Sequence, residues 1–202
     1  AVMSLSHKPI DTLFAFSSGT SFAAPRVARI ASLIEEGLKR EFGIKPHPNL
    51  IRAFLGSSAK IPTGVEDRYG KDTYSIYGHG VPNEELALFS SPSRVSLFAQ
   101  DTIRPNYFHI YKIPIPDVFR VNRGNRTISI SLAFDPPVRR RRLDYLGMEM
   151  NISIFRGLDL DYIAQALSKI VPGENNSLAI PNKNRIQLLP KMSSNRQKST
   201  IQ

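Results

Sequence analysis

Seven consecutive residues, Gly19-Thr20-Ser21-Phe22-Ala23-Ala24-Pro25, sit where an irregular stretch enters a long amphipathic pattern. Their types suit acyl transfer. A serine hydroxyl attacks a carbonyl only when a base takes its proton, and the oxyanion that forms needs donors already aimed at it. A helix start offers unpaired amides and the positive end of the dipole, so Ser21 in a first turn can present its hydroxyl and its own amide to one carbonyl. Gly19 has no Cβ to block a substrate backbone. Pro25 has no amide to give the Ser21 carbonyl, and its ring stiffens the first turn, where proline is best tolerated. Ala23 and Ala24 are small enough for this helix start to lie buried against other elements. The bland alternative is an N-cap serine with no chemistry. A second cluster, Tyr77-Gly78-His79-Gly80-Val81-Pro82-Asn83, lies further along the chain.

The heptapeptide resembles the active-site serine motif of the subtilisin-like serine proteases, and the Tyr77–Asn83 cluster is similar to the Y-G-x-G-x-x-N segment that follows the serine helix in that family. The resemblance covers about residues 10–90. It implies that Ser21 is the nucleophile, that the Ser21 amide is one oxyanion donor, and that Gly19 and Thr20 border the pocket for the residue on the acyl side of the cleaved bond. Arg26 stands where many subtilisins have His. The substrate implied is a protein or peptide, cleaved through an acyl-enzyme with no cofactor for the chemistry. Many family members carry structural calcium, but no Asp/Asn-rich loop here supports assigning one.

The family orders its triad Asp, His, Ser, and only twenty residues precede Ser21. His7 is not in the family's His-Gly-Thr context. His47 follows Pro46, His79 lies in the glycine-rich cluster and His109 falls in a strand-like pattern; these three read as structural, and none has a metal-ligand partner at suitable spacing. The expectation is therefore the C-terminal part of a longer protease, inactive alone, whose partner is the missing N-terminal part of the same domain with the catalytic Asp and His. The competing expectations are a pseudoprotease, or a non-catalytic module that binds an acidic protein or polyanion through its basic surface.

The elements that must hold Ser21 are legible from periodicity. Phe22, Val27, Ile30, Ile34, Leu38 and Phe42 recur at helical spacing, with Gly43 placed as a C-cap. A second helix is expected from Asn49, whose side chain would cap it, and a short one over 84–89. One short strand is expected around Leu13–Phe16, and residues 61–80, punctuated by Gly64, Gly70, Gly78 and Gly80, read as loop. Beyond Pro92 the period changes to two. Val95–Ala99, Tyr107–Ile115, Thr127–Phe134 and Gly147–Phe155 read as strands of an antiparallel sandwich-like module, followed by a helix over 159–170. The fold class expected is thus α/β, the mainly helical end of a doubly wound domain, followed by a β-rich module. The domains expected are 1–90, 94–172 and a basic tail, 173–202.

Composition bounds the rest. Hydrophobic residues make up 41% and charged residues 22% of the 202 residues, values that exclude a wholly disordered chain. The absence of Cys excludes disulfides, cysteine-ligated metals and thiol catalysis, and leaves the compartment open. No apolar run reaches the ~18 residues of a membrane span. The net charge of +10 is concentrated in Arg139-Arg140-Arg141-Arg142 and in Lys183, Arg185, Lys191, Arg196 and Lys198. The arginine run follows Asp135-Pro136-Pro137 and reads as a loop; the others lie in the tail, read as solvated. No helix-turn-helix, zinc-finger or RNA-binding signature accompanies them.

Overall fold

The apolar spacing from Phe22 to Phe42 winds into α1 (Thr20–Phe42), a helix that ends at Gly43 in the left-handed conformation, φ 64°, its amide donating to the Lys39 carbonyl at 3.0 Å. A computed structural model describes residues 2–91, 94–117, 121, 127–139, 147–168, 180–186 and 200–201. The chain divides into two compact units, Ala1–Ser96 and Leu97–Gln202.

The first unit opens with an antiparallel hairpin, β1 (Val2–Leu5) and β2 (Phe14–Ser17), in the register Met3↔Phe16 and Leu5↔Phe14. The Ser6 amide donates to the Leu13 carbonyl at 3.0 Å and closes it. Sequence reasoning finds β2 and misses β1, because four residues are too few to display an alternation and the strand exists through its partner. Helix α1 then packs on α2 (Pro48–Ser58) and α5 (Glu84–Leu88). Their shared core is Ile34, Leu38, Leu50 and Ala87, with Ile30, Ile51, Phe54, Leu55 and Leu88 around it.

Two expectations in this unit are corrected. The cap of α2 is His47, whose Nδ1 accepts the Asn49 amide at 3.3 Å, while Pro48 occupies the first turn. The Asn49 side chain instead accepts from Arg52 at 3.2 Å. Residues 61–80 are helical turns rather than plain loop: α3 (Val65–Tyr69), a 3₁₀ turn (Gly70–Asp72) and α4 (Thr73–Tyr77). Gly64, Gly70 and Gly78, all at positive φ, separate very short helices from their surroundings, a pattern that sequence reading cannot tell from a loop.

The second unit is where the period-two reading fails. Its described strands are β3 (Leu132–Ala133), β4 (Ile154–Phe155), β5 (Arg185–Ile186) and β6 (Thr200–Ile201), paired antiparallel as β3–β6 and β4–β5. Val95–Ala99 and Tyr107–Ile115 enter no ladder. Asn106 adopts φ 62° just after Pro105, and Pro114 and Pro116 remove amides at the other end of the second segment, so its alternation has no matching hydrogen-bond register. Two pairs of two-residue strands do not make facing sheets, so the described residues form no sandwich, and the ladders being antiparallel, no doubly wound sheet. What they form is a mixed fold of helices with a few short strands and no closed sheet.

The core of this unit is α6 (Leu160–Ser168), through Ile163 and Ala166, against Ile180, with Ile110, Phe155, Leu158 and Leu167 packed on it. Ile180 is only 3% exposed, and Arg185–Ile186 pairs with Phe155–Ile154. Ile180 therefore belongs to a packed core and Arg185–Ile186 to a ladder, not to the tail expected from composition, while Lys183 between them is exposed as expected. One buried isoleucine amid Asn, Ser and Lys carries too little pattern to be found in sequence. Arg140–Arg142 and Lys191, Arg196 and Lys198 lie outside the described residues.

Candidate active site

Ser21 is the second residue of α1 and is exposed. Ahead of it, Gly19 stands at the N-cap in an extended conformation, its carbonyl accepting the Phe22 amide at 3.1 Å. No side chain caps this helix start. The amides of Thr20 and Ser21 precede any intrahelical acceptor and so face outward with the positive end of a 23-residue helix. The Ser21 hydroxyl hydrogen-bonds to none of the described residues. An exposed hydroxyl, two amides without intrahelical acceptors and the positive end of a helix dipole thus lie within the first two residues of one helix start. Beside Gly19 a Cβ would meet only Phe22 Cδ2 at 3.9 Å, so this side is clear as well.

The expectation that Ala23 and Ala24 lie buried is corrected: both are exposed, as are Thr20 and Pro25, and Phe22 is 40% exposed. The reason lies in how α1 is covered. Its buried residues, Ile34 and Leu38, fall in the C-terminal half, where α2 and α5 pack, and the first turns have no neighbour of that kind among the described residues.

The Tyr77–Asn83 cluster acts on the segment that leads into α5. Gly80, at φ 95°, brings the chain against Lys60, and Lys60 and Val81 exchange backbone hydrogen bonds at 3.0 and 2.8 Å. Asn83 then caps α5, its Oδ1 accepting the Leu86 amide at 2.9 Å. Next in sequence, Glu84 takes a two-point contact from Arg29 of α1, at 2.5 and 3.4 Å. Gly80 and Asn83 therefore fix the helix that supports α1. Sequence reasoning missed Arg29 and Glu84, since a pair 55 residues apart leaves no local signal.

No histidine meets Ser21. His7 is exposed in the hairpin connection, and His47 caps α2. His79 sits half-buried between Gly78 and Gly80. His109 lies in the second unit, in irregular chain and not in a strand, with Nδ1 3.3 Å from Asp101 and 3.4 Å from the Tyr111 hydroxyl. Among the described residues no group of three or more His, Asp or Glu side chains could hold a metal ion, and no helix is long and apolar enough to cross a membrane.

The chain is 36% identical over 205 aligned residues to a protein of Sinorhizobium fredii described as uncharacterized protein y4bN, a match that covers all of this chain and 46% of that protein. The chain thus spans about half the length of the curated relative it matches. No protein-family model matches the chain, and no solved structure does.

Proposed function

We propose that this chain carries the nucleophilic serine of a subtilisin-like serine endopeptidase, with Ser21 attacking the peptide carbonyl and the Ser21 amide receiving the oxyanion. The observation that carries this reading is the exposed, unbonded Ser21 hydroxyl at the uncapped start of α1, inside the Gly19–Pro25 motif. An ordinary capping serine would accept a hydrogen bond from an amide two or three residues on; Ser21 does not do this. Gly19 and Thr20 border the acyl-side pocket. The base and its orienting carboxylate, the triad's His and Asp, come from polypeptide outside these residues, as does the rest of the oxyanion hole. The substrate is a protein or peptide.

The chemistry at Ser21 then runs in two halves. The base removes the hydroxyl proton as Oγ adds to the carbonyl carbon, and the base returns that proton to the leaving amine; water repeats the sequence on the ester. The helix start contributes fixed donors, which need no reorganisation as charge develops.

The test is labelling by a fluorophosphonate probe of the polypeptide encoded by the complete reading frame. Labelling is expected in the native protein and absent in Ser21→Ala. Labelling that survives the substitution overturns the assignment. Absence of labelling in a folded native protein favours the second reading, a pseudoprotease, which is motivated by the lack of any base touching Ser21 among the described residues.

A further inference from the structure

The register of the hairpin places Met3 opposite Phe16 and Leu5 opposite Phe14, so these four side chains share one face of the two-stranded sheet. That face is entirely apolar. It is also uncovered: Met3 is 57%, Leu5 71%, Phe14 50% and Phe16 74% exposed. The opposite face carries Val2, Ser4, Ala15 and Ser17, a smaller and more polar set. An amphipathic sheet face of this kind is stable only against a second layer, and a lone two-stranded hairpin is marginal in water. Directly after it in sequence, the first turns of α1 expose Phe22, Ala23 and Ala24, although the C-terminal half of the same helix is packed. Two consecutive elements therefore lack a layer on their apolar sides among the described residues.

We propose that the Met3/Leu5/Phe14/Phe16 face, together with the Phe22 turn of α1, is the docking face for further polypeptide of the same gene product, the part corresponding to the stretch of the Sinorhizobium relative outside the match. Area decides between this occupant and a separate chain. Four side chains of this size, half to three-quarters exposed, offer roughly 500 Å². A stable pairing of separate proteins buries about 800 Å² on each partner. Covalent continuity lifts that requirement, because a tethered layer meets the face at high effective concentration. The relative supplies the needed length, since more than half of it lies outside the match. The inference stands on the hairpin geometry and does not depend on the protease reading.

Hydrogen exchange on the polypeptide from the complete reading frame, set beside the 202-residue chain, tests this. Amides of residues 2–17 are expected to exchange at least about tenfold more slowly in the longer protein, as covered elements do. Leu5→Lys with Phe16→Lys is expected to erase that protection while α2 keeps its own. Three results overturn the proposal: fast exchange of residues 2–17 in the unmutated longer protein, equal protection in the 202-residue chain with twice the monomer mass by light scattering, or a reading frame that encodes nothing outside these residues. Ser21→Ala leaves the protection unchanged. Labelling that survives Ser21→Ala with protection retained therefore sinks the serine assignment alone, and fast exchange of residues 2–17 in a native protein that the probe labels through Ser21 sinks only the docking face.

Discussion

Gly80 lies so close to Lys60 that a Cβ built on it would sit 2.4 Å from the Lys60 carbonyl carbon, 2.4 Å from its oxygen and 2.7 Å from the Ile61 nitrogen. All three are backbone atoms, so no side chain can swing aside, and φ 95° already disfavours any residue with a Cβ. Gly80→Ala is expected to destabilise the chain by at least about 2 kcal/mol, more than an unstrained glycine replacement costs. Thermal melting checks this, and the Lys60–Val81 backbone pair should be the first to lose exchange protection.

The cap of α5 gives a milder prediction. Asn83→Ala removes the acceptor for the Leu86 amide at the start of a five-residue helix. The expected loss is about 1 kcal/mol. Asn83→Asp, which keeps the acceptor and adds a favourable charge at the helix start, should recover most of it by denaturant titration.

Core and non-core positions on α1 should separate sharply. Ile34 is 1% exposed at the junction of α1, α2 and α5, and Ile34→Ala is expected to cost about 2–5 kcal/mol. Phe22 is 40% exposed, and in the 202-residue chain Phe22→Ala should cost under about 1 kcal/mol. Chemical denaturation of both variants checks the contrast.

The Glu35 carboxyl is held below its ordinary range, first by the hydrogen bond from Lys39 at 2.6 Å and then by the lysine charge. A depressed carboxylate stabilises the folded state above the unfolded value, and that contribution disappears as pH falls through the folded value. Glu35→Gln lacks the pair at every pH. Its melting temperature is therefore expected to lie slightly below the native one at neutral pH and to converge with it in acid, where the pair is lost in both proteins.

How much of this was legible in the sequence depends on the range of the interactions involved. Helix α1 and its Gly43 cap were readable because their signals are local: a repeat sustained over six apolar residues, and a glycine at its end. The hairpin was half readable, because β1 is defined by β2 and not by its own four residues. The second unit shows the opposite failure. The alternation over 107–115 looks like a strand, yet proline and a left-handed Asn106 deny it a ladder, and Ile180 joins a core that nothing near it announces. At the candidate site the motif located Ser21 and the helix start that presents it. The exposure of Ala23 and Ala24 was not legible, since small residues suit a buried helix start and an open one equally well.

Among the described residues helix α1 is gripped toward one end and bare at the other, which makes it a lever. Ser21 stands about 13 Å from the first packed residue, Ile30, at 1.5 Å per residue. Over that arm a tilt of ~4° at the packed end swings the hydroxyl by about 1 Å, a displacement that, on the proposed reading, costs a reacting group on the order of 10² in rate. Remodelling the fulcrum, at Leu38, Leu50 or Ala87, would thus reach the hydroxyl without touching anything near it.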